Sequence, residues 1–75
     1  MPKLPRVTGK KILSTLKKRG FEIIHVRGSH HYLRKPMGSK LVVVPVHAGE
    51  TIPSKTLQSI LEQAELNVDE FIELL

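Results

Sequence analysis

Residues 21–35, Phe-Glu-Ile-Ile-His-Val-Arg-Gly-Ser-His-His-Tyr-Leu-Arg-Lys, contain two strand-like runs that meet at the Gly-Ser pair 28–29. β-branched and aromatic residues favour strands, and Gly and Ser favour turns. A second turn signal, Pro-Met-Gly-Ser at 36–39, precedes the continuous apolar run 41–46. Three strands joined by two short turns predict an antiparallel meander. Pro45 cannot donate to a neighbouring strand, so the third strand is predicted to lie at a sheet edge or to end there.

Helical patterns lie on both sides of this meander. Thr8 is a suitable N-cap for a helix over 10–19, and Gly20 is suited to end it. One face of this helix carries a basic ridge that suits either phosphates or solvent, formed by Lys10, Lys11, Lys17 and Lys18. Three apolar residues share the opposite face of this helix: Ile12, Leu13 and Leu16.

A second helix is predicted after Pro53, which is suited to a first helical turn. Asn67 then begins a capping box ahead of a short apolar tail that is expected to dock on the core or to engage a partner. The predicted fold class is α+β: a helix, a three-stranded antiparallel sheet, a helix and a short C-terminal helix, with the helices on one face of the sheet. This order and size match the double-stranded-RNA-binding fold.

Length and composition narrow the class of protein. A chain of 75 residues is expected to form one domain, residues 1–75, with one small core. The absence of Cys excludes disulfides and thiolate metal sites and favours a reducing, cytoplasmic compartment. No apolar run is long enough to span a membrane, and the first residues lack the apolar stretch of a signal peptide.

Charge is distributed unevenly along the chain. Eleven of the twelve Lys and Arg residues lie within positions 1–40, whereas six of the seven Asp and Glu residues lie within 41–75. The net charge is +5. A basic half of this kind favours a polyanionic partner, most simply nucleic acid, although ordinary solubility charge is the alternative.

His30 and His31 open the second strand and are the strongest candidates for chemistry, because histidine both accepts and donates protons near neutral pH. If the second turn is symmetric, His30 lies opposite Pro45, with His47 diagonal to it on the same face. Strand alternation places Tyr32 and Arg34 with His30, and Leu33 with His31. Since Leu33 is apolar, its face is predicted to be the core face, leaving His30 outward. The alternative is that both histidines are merely polar residues of a hairpin.

The sequence gives little support to other catalytic mechanisms. The histidines lack the ligand spacing of a known metal motif, so no metal or other cofactor is predicted. The chain also lacks a G-x-S-x-G nucleophile motif, a phosphate-binding glycine loop and a carboxylate pair on the strands.

Four short motifs together resemble the HicA-type mRNA interferase toxins of toxin–antitoxin pairs. They are Lys-Arg-Gly-Phe at 18–21, Gly-Ser-His at 28–30, Val-Val-Pro-Val-His-Ala-Gly-Glu at 43–50, and Thr-Leu-Gln-Ser-Ile-Leu-Glu-Gln-Ala at 56–64. The resemblance covers nearly the whole chain. It implies a double-stranded-RNA-binding-like fold, cleavage of mRNA, and inhibition by a HicB-type antitoxin. That the cleavage needs no metal is a hypothesis about the mechanism. The antitoxin is expected to be acidic, because it has to neutralise the basic surface.

The resemblance also implies residue roles. The histidine of Gly-Ser-His is the catalytic one in this family, which is His30 here; members with Gly-Ser-x-His would place the role on His31. As a hypothesis, that histidine exchanges protons with an RNA 2′-hydroxyl and phosphate, and internal attack gives a cyclic phosphate. The residues expected to hold the RNA are Lys10, Lys11, Arg27, Ser29 and Arg34.

Two alternatives to a nuclease remain at the level of sequence. One is a non-catalytic RNA-binding module of the same fold, and the other is a partner-binding protein that uses the apolar C-terminal tail. The oligomeric state is open, and a monomer is one outcome for the free chain.

Overall fold

The computed structural model describes residues 4–38 and 40–75. Its elements are α1 (Gly9–Lys18), β1 (Glu22–Arg27), β2 (His30–Arg34), β3 (Val42–Pro45), α2 (Ser54–Ala64) and α3 (Val68–Leu74). The predicted α+β architecture is confirmed. Ser39, the last residue of the predicted second turn, lies outside the described residues, as do residues 1–3.

The three strands form one antiparallel sheet in the order β1-β2-β3. His30 pairs with Pro45 and Leu33 with Val42, so the predicted register between β2 and β3 is confirmed. Leu33 is fully buried and His30 is exposed, as the alternation predicted. We call the buried side the inner face and the side of His30 the open face.

A bulge interrupts β1. Ile23 pairs with Leu33 and His25 with Tyr32, which leaves Ile24 as an extra residue between them. Ile23 packs against the core, whereas Ile24 is 53% exposed. The extra residue inverts the alternation of β1, so the bulge puts Ile23 on the inner face and His25 on the open face.

The core lies between the inner face and the helices. Its fully buried side chains include Leu33, Val42 and Val44 of the sheet, Ile12 and Leu16 of α1, and Leu57 of α2. Tyr32 and Val43, which alternate with them, are only half-buried. The helices therefore cover one face of the sheet and leave the other open.

Local signals set the ends of α1. The Thr8 hydroxyl accepts a hydrogen bond from the Lys11 amide at 3.2 Å, as expected of an N-cap. At the other end the amides of Gly20 and Phe21 donate to the carbonyls of Lys17 and Leu16, both within 3.1 Å. This is a Schellman ending, and it turns Phe21 back into the core, where it is 2% exposed.

β3 is an edge strand whose outward N–H groups are accounted for. The Val46 amide points towards β2 and donates to the Ser29 carbonyl. Successive residues of a strand point their N–H groups to opposite sides, so positions 43 and 45 face away from β2. The Val43 amide donates to Gln63 Oε1 of α2 at 3.1 Å, and Pro45 has no N–H. This edge therefore offers little to a strand from another chain.

α3 is docked on the core rather than extended. Asn67 and Glu70 form the predicted capping box at its start. The preceding helix, α2, has Pro53 as its N-cap, whereas Pro53 was predicted to lie in the first turn. Phe71 is fully buried. Arg19 pairs with Glu70 at 3.1 Å, but both side chains are about 40% exposed, so this ion pair contributes little compared with Phe71.

Within residues 4–38 and 40–75, no helix has the length and apolar character needed to cross a membrane.

Two neighbouring residues of α3 test how it is held. Phe71→Ala is expected to lower the free energy of unfolding by about 3–5 kcal/mol, because it opens a cavity in the core. Ile72→Ala is the matched control, since Ile72 is 43% exposed, and it should change stability by less than about 1 kcal/mol. Urea unfolding followed by circular dichroism measures both. Equal effects would mean that α3 is not anchored through Phe71.

Candidate active site

The turn between β1 and β2 places the first histidine. Gly28 has a φ of 58°, and Ser29 does not take a positive φ, which is the pattern of a two-residue type II′ turn with Gly in its first central position. Such a turn joins Arg27 directly to His30 as the last facing pair of the hairpin. The Gly-Ser pair therefore fixes which residue faces His30.

His30 is exposed between two different neighbours. Arg27 lies opposite it on β1, and Pro45 lies opposite it on β3. Facing residues of antiparallel strands have Cα atoms only about 4.5–5.5 Å apart and project to the same side. The side chains of His30 and Arg27 therefore project from neighbouring positions on the open face, with Pro45 completing the row.

His31 lies on the inner face and is half-buried. Its Nδ1 is 3.2 Å from the Ser29 carbonyl oxygen, which also accepts the Val46 amide at 2.7 Å. A carbonyl oxygen only accepts, so Nδ1 is the donor in this contact. The ring of His31 is thus attached to the turn, whereas His30 stands on the opposite face.

Lys10 and Lys11 lie in the first turn of α1, on the helical side of the sheet, but at the same end of the molecule as His30. The start of α1 meets the end of β3 at Gly9: a Cβ at that position would lie 2.5 Å from the Pro45 carbonyl oxygen and 2.9 Å from Val46 Cα. Only a residue without a side chain lets α1 start this close to the end of β3. The first turn of α1 also contains no acidic residue.

His47 lies beyond the end of β3 and not within a strand. Its carbonyl accepts the Glu50 amide at 3.0 Å, so it belongs to the turn that follows. It lines an open cleft of about 540 Å³ together with Thr8, Lys10 and Val46. His47 therefore lies outside the strands, beside the start of α1, and its diagonal position relative to His30 stays a prediction.

The predicted RNA-holding residues are only partly brought together. Arg27 and Ser29 adjoin His30, and Lys10 and Lys11 share its end of the molecule. Arg34 is on the open face but at the far end of β2, opposite Glu22 and four residues from His30. At about 3.3 Å per residue, this separation is roughly 13 Å.

The sequence interpretation missed a pair of rings. His25 faces Tyr32 across the strands, with ring centroids 5.4 Å apart and ring planes inclined by 47°. This pairing could have been predicted from the sequence, because a symmetric two-residue turn at 28–29 makes position 25 face position 32.

No cluster of three or more His, Cys, Asp or Glu side chains suited to a metal ion occurs in the part of the chain that the structure describes.

Comparison with protein families identifies the family of this chain. A family model described as "HicA toxin of bacterial toxin-antitoxin" matches residues 9–66. The chain belongs to the HicA toxin family. The match runs from the first residue of α1 through the sheet and α2, and it ends before α3. A search of curated proteins gave no match.

Membership of the HicA family makes this chain a toxin of a toxin–antitoxin system, and the general partner of such a toxin is a HicB-type antitoxin. The matched range contains His30, His31, Arg27 and both lysines of the first turn of α1. α3 is an addition to the matched region, and its acidic residues contact the end of α1 through Glu70 and Arg19.

The close approach at Gly9 gives a test of this end of the HicA fold. Gly→Ala within a helix normally stabilises a protein by up to about 1 kcal/mol. Gly9→Ala is instead expected to lower the free energy of unfolding by about 1–3 kcal/mol, because its methyl group overlaps the Pro45 carbonyl. Ser14→Ala, an exposed position of α1, serves as the control in the same thermal unfolding experiment. A stabilised Gly9→Ala protein would show that α1 does not touch β3 there.

Proposed function

We propose that this HicA-family toxin is a metal-independent endoribonuclease that cleaves mRNA in the cytoplasm, with His30 as the group that moves the proton. The observation that carries the proposal is the row Arg27–His30–Pro45. It combines a proton-transfer group and a fixed positive charge on an exposed face, beside the basic first turn of α1.

The proposed reaction uses the RNA itself as the nucleophile. His30 takes the proton of a 2′-hydroxyl as the oxygen attacks the adjacent phosphorus. The bond between phosphorus and the 5′-oxygen breaks, and the leaving oxygen takes a proton from the imidazolium or from water. The products are a 2′,3′-cyclic phosphate and a 5′-hydroxyl, and DNA is spared because it lacks the nucleophile.

Charge complementarity supports the remaining roles. Arg27 faces His30 and is suited to stabilise negative charge on the phosphorane-like transition state. Lys10 and Lys11 are suited to hold the backbone that leaves the site towards α1, where the helix dipole adds to their positive charge. His31 is proposed to fix the turn through the Ser29 carbonyl, and Arg34 to hold RNA farther along the open face.

The antitoxin is proposed to block this same surface. An inhibitor must cover His30 and offset the charge of Arg27 and the lysines of α1, which favours an acidic HicB-type partner. Binding of such a partner and binding of RNA are then mutually exclusive.

Substitution of the two histidines tests the reaction. With purified protein, labelled RNA and EDTA present throughout, His30→Ala is expected to reduce the cleavage rate by about 10²–10⁴-fold, because it removes general acid–base catalysis. His31→Ala should reduce it by less than about tenfold while lowering the melting temperature, because it removes the contact with the turn. Lys55→Ala, on the exposed side of α2, is the matched control for surface charge.

Different outcomes assign the role differently. Loss of cleavage in His31→Ala with retention in His30→Ala would transfer the catalytic role to His31. If folded wild-type protein leaves RNA intact and its expression does not arrest growth in the absence of an antitoxin, the chain is an RNA-binding module and not a nuclease. Inhibition by EDTA would contradict a metal-independent reaction.

A further inference from the structure

The open face of the sheet consists of three rows of side chains that run across the strands. The first row is Arg27, His30 and Pro45; the second is His25, Tyr32 and Val43; the third is Glu22 and Arg34. Successive rows are two residues apart, or about 6.6 Å along each strand. The proposed reaction uses the first row, and Arg34 of the third row is proposed to hold RNA, so the second row is unassigned.

The second row presents a pair of rings, the exposed His25 and the half-buried Tyr32. Tyr32 is the one tyrosine of a chain that has two phenylalanines and no tryptophan, and Phe21 and Phe71 are both buried in the core. Tyr32 is therefore the only one of these aromatic rings outside the core. It is half-buried in contact with His25, which holds the ring in place, and Val43 flanks it on the other side.

The charges of this face are predominantly positive. Arg27 and Arg34 lie on either side of the ring row, and the one carboxylate in the three rows is Glu22 at the far end. The other six acidic residues of the chain belong to α2, α3 and the loops around them: Glu50, Glu62, Glu65, Asp69, Glu70 and Glu73. The helices carry most of this acidic charge, and they cover the inner face.

We propose that the open face binds single-stranded RNA, with a base stacked on Tyr32 beside His25 and the flanking phosphates held by Arg27 and Arg34. This inference rests on the proposed function, since it supplies the substrate path to His30. Rings on the face of a small sheet stack unpaired bases, and stacking tolerates every base. A base on the second row brings the adjoining phosphate to the first row, where His30 and Arg27 stand.

The same geometry disfavours a duplex on this face. The bases of a double helix are already stacked on each other, so their faces are not available to Tyr32. Double-stranded RNA bound through shape would instead be expected to depend on the helical side and on Lys10 and Lys11. The two modes therefore make opposite predictions for Tyr32, whose ring only the single-stranded mode needs.

Tyr32 reports on its own contact. Because the chain has one tyrosine and no tryptophan, its intrinsic tyrosine fluorescence comes from Tyr32. A single-stranded oligonucleotide with 2′-O-methyl groups is the ligand, since it lacks the 2′-hydroxyl nucleophile and is not cleaved. Titration should quench the fluorescence through stacking, and the same strand annealed to its complement should bind at least tenfold more weakly and quench less.

Variants of one position separate stacking from packing. Tyr32→Phe keeps the ring and should bind within about twofold of wild type when the oligonucleotide carries a fluorescent label. Tyr32→Leu keeps apolar bulk without the ring and should weaken binding by about 5- to 150-fold, the range expected for loss of one base–aromatic stack. Lys55→Ala is the charge control, and circular dichroism verifies that each variant is folded.

The inference is wrong if the single strand binds without quenching, or if Tyr32→Leu binds normally while Lys10→Ala and Lys11→Ala do not. It is also wrong if the duplex binds and quenches as well as the single strand, or if no single strand binds at all. Cleavage of unmodified RNA is measured separately. Stacking without cleavage would retain this surface and reject the nuclease, whereas cleavage without stacking would retain the nuclease and reject this surface.

Discussion

The burial of Leu33 is the constraint on which the candidate site depends. Leu33 is fully buried between Ile23 and Val42, and strand alternation then turns Tyr32 and His30 to the opposite face. A slip of one residue would expose Leu33, at a cost of about 1.5–3 kcal/mol, and would press polar side chains against α1 and α2. The exposure of the histidine therefore follows from the packing of an apolar neighbour three residues away, and the site inherits its geometry from the core.

β1 must satisfy two demands that a regular strand cannot meet together. Ile23 contributes to the core, while His25 and Arg27 stand on the open face, yet regular alternation would put all three on the same side. The extra residue at Ile24 inverts the alternation between them. The exposure of Ile24 is the local cost, and the gain is a first and second row in which Arg27 faces His30 and His25 faces Tyr32.

Sequence patterns predicted the features that depend on periodicity and on turn chemistry. The order of elements, the register of β2 and β3, the face of Leu33 and the capping box at Asn67 are all confirmed. The bulge was not predictable in this way, because positions 23 and 24 are both isoleucine and only packing decides which of the two side chains is buried. The approach of Gly9 to Pro45 and the turn that removes His47 from the sheet are tertiary contacts with no local signal. The roles of His30, His31 and the RNA-holding residues stay predictions.

Net charge is a poor guide to what this chain offers an anion, because position decides which cations are available. The Lys18 ammonium donates to the Leu74 carbonyl at 3.0 Å and Arg19 pairs with Glu70, so α3 engages both cations at the end of α1. Arg27 and the lysines at the start of α1 lie at the opposite end of that helix, beside His30. The acidic second half of the chain thus offsets positive charge where α1 and α3 meet, and it leaves the positive charge of the open face in place. A polyanion and an acidic antitoxin would then be drawn to the same surface for the same electrostatic reason.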